Sequence, residues 1–299
     1  MDEKHKIEIQ PGDAILKLKE LENNSIDLIV TDPPYNLAKD YGNDSDSKSF
    51  KDYIIFTEAW TKEASRVLKP TGTIYVFMGF RFISYLYQIL EKENKLHFCN
   101  WICWYYTQGI GRKRGFSPRH DDILMFTKSK DYIFNLDAVR VPQKYYRSIN
   151  NMRGANPGDV WEFSHVHYCQ GNRQDHPTQK PEGLIERMIL ASSNKGDQVV
   201  DPFAGSGTTL RVCQQLKRNC LGFELNADYV ELTKKRLSEP FAGFDSTDPK
   251  MERVPNDLND SEIREEYIQN HVDWFLKNHD NARDEFYKKV QNKHSKDKI

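Results

Sequence analysis

Asp32-Pro33-Pro34-Tyr35, followed by Asn36, places side by side the residue types needed to activate a weakly nucleophilic amine. The exocyclic amine of a nucleobase attacks poorly because its lone pair is drawn into the ring. A carboxylate accepting one of its N–H groups and a carbonyl accepting the other favour a more tetrahedral, more nucleophilic nitrogen. Asp32 supplies the carboxylate. The prolines fix φ and hold a carbonyl outward, that of Pro33 by this reading, so both acceptors are in place before the amine arrives. Tyr35 offers a π-face on which a planar base can stack.

A second segment, Asp201-Pro202-Phe203-Ala204-Gly205-Ser206-Gly207-Thr208-Thr209, lies between a strand-like run and a helix-like run. Its glycines let backbone approach a ligand, and the helix start offers free N–H groups. Glu224 follows Asp201 by 23 residues at the end of the next strand-like run, where an acid can accept both hydroxyls of a ribose. The third glycine of the dinucleotide fingerprint is absent, and no lysine follows as in a phosphate-binding loop, so a pyrophosphate is not the expected ligand.

The surrounding elements must bring these segments together. Residues 26–30 form a short apolar run ending at the Asp-Pro-Pro-Tyr segment, as a buried strand would. Tyr53, Ile54, Phe56, Trp60, Ala64 and Val67 recur at helical spacing, a stop falls at Pro70-Thr71-Gly72, and residues 73–78 are strand-like. The rhythm returns with a helix over 182–189, a strand over 198–203, a helix over 208–216, a strand over 220–225 and a helix from Asn226 to Leu237. An α/β fold with a mostly parallel sheet flanked by helices is expected. Residues 37–50, polar and glycine-containing, read as a loop that could order over substrate.

The chain of 299 residues is nearly neutral, with 43 Lys and Arg against 44 Asp and Glu, which excludes a uniformly basic nucleic-acid binder. Residues 112–153 nonetheless hold ten basic and four acidic residues, among them Arg112, Lys113, Arg114, Arg119, Lys144 and Arg147. Such a patch suits phosphates, with some arginines free to read guanine. Trp104, Tyr105, Tyr106 and Trp161 join this candidate surface, although Trp101 and Trp104 serve equally well as core residues. The five cysteines show no zinc-type spacing and read as reduced thiols of a cytoplasmic protein. No apolar run approaches a membrane span, and the polar N-terminus carries no secretory core. Beyond Pro240, Ile263, Tyr267, Ile268, Val272 and Phe275 make an amphipathic stripe, expected as a helical appendage on the core or on a partner subunit.

Together the two segments resemble motifs IV and I of the amino-methyltransferases that act on DNA. Their order, Asp-Pro-Pro-Tyr first and the glycine-rich segment last, resembles the permuted β-class. Gly12-Asp13-Ala14 is similar to the class's motif III, His176-Pro177-Thr178-Gln179-Lys180-Pro181 to its motif X, and residues 66–72 to its helix-to-strand turn. Residues 120–135 and 157–163 are most similar to orphan adenine methyltransferases of enteric bacteria.

The resemblance implies a Rossmann-like, class I methyltransferase fold. Residues 1–100 would form its catalytic half, 101–170 an inserted target-recognition region, 171–239 the cofactor half and 240–299 the appendage. It implies S-adenosylmethionine as cofactor, with no metal. Asp201, Phe203, Ala204, Gly205, Ser206, Gly207 and Thr208 would cradle its methionine and sugar. Glu224 would hold the ribose, Asp13 the adenine end, and Thr178 and Lys180 would line the methionine carboxylate. Double-stranded DNA would be the substrate, its adenine flipped into a pocket made by Asp32, Pro33, Pro34 and Tyr35. The family's cytosine-N4 members often carry Ser where Asp32 stands, which leans toward adenine N6. A catalytically silent DNA-binding module and an RNA or protein methyltransferase are the other readings. A homodimer is common in the class, and a companion restriction endonuclease is not legible in one chain.

Overall fold

The computed structural model describes residues 5–37, 47–107, 109, 111–141, 154–166, 174 and 178–240. The chain divides into two units, one of Met1–Asn135 with Gly158–Asp248, the other of Leu136–Pro157 with Pro249–Ile299. In the second unit the described residues hold a short turn at Leu136–Ala138 and a bridge between Val141 and Ala155. Arg140 ties them by pairing with Asp137 at 2.6 Å and donating to the Gly154 carbonyl at 3.0 Å.

The first unit opens with β1 (Ile7–Pro11), α1 (Ala14–Lys19), β2 (Ile26–Thr31), α2 (Phe50–Val67), β3 (Leu68–Met78) and α3 (Ile83–Gln88). It continues through β4 (His97–Tyr105), β5 (His120–Thr127), β6 (Val160–Glu162) and α4 (Glu182–Ser192). It closes with β7 (Gln198–Asp201), α5 (Thr208–Gln215), β8 (Asn219–Glu224) and α6 (Ala227–Ser238). One eight-stranded sheet runs β1-β8-β7-β2-β3-β5-β4-β6. It is parallel from β1 to β3, β5 runs antiparallel to β3 and β4, and β6 is parallel to β4.

Every residue of β2 is buried, as expected for a parallel strand covered on both faces. On one face α2 packs Tyr53, Trp60, Ala64 and Val67, a stripe at helical spacing, into a core with Ile29, Ile74, Phe126 and Phe223. Ser49 caps α2 by accepting from the Asp52 amide at 3.2 Å. The helix ends at Val67, before the expected stop at Pro70, with Leu68 already extended as the first residue of β3.

The expected insert at 101–170 is not separate from the sheet. β4 runs across residue 101, and β5 lies inside the sheet between β3 and β4. Charges flanking β5 mask its buried run Ile123, Leu124, Met125 and Phe126 when a whole window is counted. Trp104 proves to be a core residue, wholly buried and donating its indole N–H to the Phe163 carbonyl at 2.8 Å. Trp161 is also buried, and Tyr105 is exposed. Cys99, Cys103, Cys213 and Cys220 are free thiols. Cys169, Lys144, Arg147, residues 38–46 and the 241–299 appendage lie outside the described residues.

Candidate active site

The strand order places the site. From β2 the chain crosses through α2 to β3 on one side, and from β7 through α5 to β8 on the other. The crevice beyond the carboxyl ends of β2 and β7 is therefore a topological switch point, where open α/β sheets bind ligands. Registers Ile29 with Val200, Asp201 with Gly222 and Pro11 with Glu224 bring the strand ends level. Asp32, Asp201, Glu224 and Asp13 thus meet at one rim. They line a common cavity of about 210 Å³.

Thr178, Lys180, Phe203, Ala204, Gly205, Ser206, Thr208 and Pro34 also line it. Gly207 does not. Its φ of 73° starts α5, and a Cβ there would lie 2.4 Å from Thr233 Cγ2, so this glycine allows α5 to close against α6. Pro33 and Tyr35 are likewise not among the wall residues, and Tyr35 packs instead on Gly79. Lys48, Phe56, Phe77, Leu225 and Tyr229 line the cavity too, and the sequence motifs do not point to them.

The glycine-rich turn is held from below. The Ala204 amide donates to the Phe223 carbonyl at 2.9 Å, and the Phe203 ring stands edge-on to Trp60 at 5.6 Å. Asp201 accepts from Thr209 Oγ1 at 2.7 Å and the Phe203 amide at 3.2 Å. Burial nevertheless pushes its carboxyl up to about 7. Glu224 accepts the amides of Gly205 at 2.9 Å and Asn226 at 2.8 Å, while burial raises its pKa. The Leu225 amide bonds to it as well, and of the roughly four lone-pair sites of a carboxylate about one stays open to a hydroxyl donor. Asp13 caps α1, accepting from the Ile15 and Leu16 amides at 3.0 Å.

On the opposite wall the Pro34 carbonyl is taken by the Tyr53 hydroxyl at 2.7 Å. Asn36, left-handed at φ 57°, clamps Lys48 with both ends of its amide, donating to its carbonyl at 2.9 Å and accepting from its N–H at 2.7 Å. That clamp closes the base of the loop expected over the substrate. Asp32 Oδ2 pairs with the Lys180 ammonium, a contact across 148 residues. Asp32 Oδ1 is buried, with no hydrogen-bond partner among the described residues.

The basic residues hang from the same rim. Met78 pairs with Asp122 and Asp122 with Cys103, so the connection between β4 and β5 leaves the sheet at the carboxyl end of β3. Arg112, Lys113 and Arg114 on that connection are exposed, and Arg119 is half-buried.

A ribose-type acid, a glycine-rich turn and a carboxylate-proline segment around one switch-point crevice define an α/β group-transfer enzyme. The chain belongs to the DNA methylase family, whose N6/N4 methyltransferase model matches residues 26–235, and it is a DNA methyltransferase. It is 62% identical over 286 residues to the type II methyltransferase M.HpaI of Haemophilus parainfluenzae, covering 95% of this chain and 91% of that one. It is 36% identical to the DNA adenine methyltransferase YhdJ of Escherichia coli strain K12, covering 76% and 79%. Among solved structures, the M1.HpyAVI–SAM complex matches with a TM-score of 0.58 at 28% identity, over 78% of this chain and all of that one.

Proposed function

We propose that the chain transfers a methyl group from S-adenosylmethionine to the exocyclic N6 of an adenine flipped out of duplex DNA. The observation that carries this is Asp32, a wall residue of the crevice it shares with Gly205 and Glu224, with one buried carboxylate oxygen left without a donor among the described residues. A buried acceptor of that kind calls for an N–H partner. The adenine assignment is supported by Asp in first position of the Asp-Pro-Pro-Tyr segment and by the similarity to an adenine methyltransferase.

The cavity residues fit the cofactor. Glu224 keeps acceptor capacity toward the ribose hydroxyls, and Phe56, Phe203 and Leu225 give apolar surface for its flat adenine. When bound, it supplies an electrophilic methyl on a sulfonium. Asp32 accepts one N–H of the target amine. With the Pro34 carbonyl engaged by Tyr53, the second acceptor falls to Pro33. Tyr35, braced by Gly79, offers its ring to the extruded base, whose flipping costs a few kcal/mol. After transfer the cationic amine loses a proton to Asp32 or to solvent. Arg112, Lys113, Arg114 and Arg119 would hold phosphates or read bases beside this opening, with Lys144 and Arg147 extending the same charged stretch in sequence.

Among the described residues no helix is long and apolar enough to cross a membrane, in keeping with a cytoplasmic enzyme. By likeness to type II methyltransferases we extend the reading to a restriction–modification role beside an endonuclease cutting the same site, and to a dimer. Co-expression protecting cells from that endonuclease, and the mass of the protein in solution, test these two. The base assignment is tested by methylating unmodified genomic DNA, digesting it to nucleosides and identifying the product by mass spectrometry. N6-methyl-2′-deoxyadenosine is expected, and a predominance of N4-methyl-2′-deoxycytidine overturns the proposal.

A further inference from the structure

Lys180 was expected at the methionine carboxylate. Its side chain, nine-tenths buried, instead reaches the carboxylate of Asp32. There the ammonium lies 5.1 Å from the centroid of the Phe77 ring and 5.6 Å from that of Tyr35, two π-faces that hold a cation further. Its backbone is anchored from the cofactor side. Thr208 at the start of α5 donates to the Lys180 carbonyl at 3.3 Å. Arg236 locks Thr208 at 2.9 Å and pairs with Glu182 at 2.7 Å, deep in the fold. One residue therefore connects the glycine-rich segment to the Asp-Pro-Pro-Tyr segment.

The consequence for Asp32 is geometric. A carboxylate free to rotate presents either oxygen to an incoming amine. With Oδ2 tied to the ammonium, Oδ1 is the oxygen left without a hydrogen-bond partner among the described residues, and its direction is set before the base arrives. Given the reading of Asp32 above, we propose that Lys180 is a positioning residue for methyl transfer: it orients the acceptor carboxylate, and its ammonium is not the ligand of the methionine carboxylate. A displacement of about 1 Å in a reacting group costs on the order of 10²-fold in rate, which sets the expected effect.

The test uses the full-length protein, unmodified genomic DNA and radiolabelled S-adenosylmethionine. It measures kcat at saturating substrates, and cofactor Kd separately by calorimetry. Lys180→Met should lower kcat by about 10²-fold. Cofactor Kd should stay within about twofold, the scatter of independent sites. Lys180→Arg, which can pair with the same carboxylate, should recover most of the loss. In an Asp32→Asn background, where no ionic hold exists, Lys180→Met should change kcat by no more than about twofold. A large rise in cofactor Kd at unchanged kcat would overturn the proposal and restore the carboxylate-ligand role. An equal loss of kcat in the Asp32→Asn background would overturn it as well, because Lys180 would then act elsewhere. Wild-type turnover by Asp32→Asn would instead defeat the role given to Asp32 itself. Should Asp32→Asn show no turnover, the kcat-against-Kd split and the arginine rescue decide.

Discussion

Replacing Asp201 by Asn should make the ligand-free protein more stable at neutral pH, by an amount that depends on pH in a defined way. The carboxyl is held at about 7 by burial, against an ordinary value of 3.8. A folded-state pKa above the unfolded one means that the native state binds the proton more tightly. The stabilisation from that proton is complete below pH 4 and is lost as pH climbs toward 7. Each pH unit in this window is worth about 1.4 kcal/mol, so the whole effect is about 4 kcal/mol. The part accessible between pH 5 and 7 is about 2 kcal/mol. Asn is neutral throughout, can still accept from the Phe203 amide and can donate its NH2 to the Thr209 hydroxyl. Urea unfolding of both proteins at several pH values gives the measurement. Wild-type stability minus variant stability should fall by about 2 kcal/mol from pH 5 to 7 and level off above about pH 8. Taking the difference removes the titration of all other groups. A difference flat to within about 0.5 kcal/mol, or one rising with pH, would refute a proton-holding Asp201.

Glu224→Gln removes the charge and turns an NH2 group toward the amide of Gly205 or Asn226. Losing charge-assisted bonds to a ribose, at about 1.5–3 kcal/mol each, should raise the cofactor Kd by about 10- to 100-fold in calorimetry, and an unchanged Kd would contradict the assignment. Gly207→Ala combines a left-handed backbone with an approach of 2.4 Å to Thr233, and denaturant unfolding should show a loss of about 2–4 kcal/mol. Replacing Arg112, Lys113 and Arg114 with Gln should reduce the slope of log affinity for DNA against log salt by about one for each phosphate no longer neutralised, with no change in cofactor Kd.

The two chemical segments were legible because each is local: a strand end, a fixed backbone and a few side chains within ten residues. Their convergence was legible too, since alternating strands and helices admit few topologies and those place strand ends on one rim. What escaped reading was set by tertiary packing. Lys180 meets Asp32 only because α4 follows the rim, and nothing in a hexapeptide says which of two anions its ammonium will find. Gly207 looks like ligand-cradling glycine, yet its missing side chain makes room for Thr233, 26 residues away. β5 was hidden because charge was counted over a window whose apolar centre is buried strand. Asn36 looked like the tail of the Asp-Pro-Pro-Tyr segment. Its clamp on Lys48 depends on where the chain returns after a polar loop.

The first strand of the sheet is zipped onto the last, Ile7 beside Cys220 through Pro11 beside Glu224, and the Gly12 amide closes on the Glu224 carbonyl at 2.9 Å. During synthesis at roughly 5–20 residues per second, Asp13 leaves the ribosome about ten to forty seconds before Glu224. Until then the opening strand has no neighbour to dock on, and the nucleoside end of the cleft has only one of its walls. A prematurely terminated chain would carry Asp32 yet lack the turn that presents the methyl donor, so abortive translation products should be inert toward the chromosome.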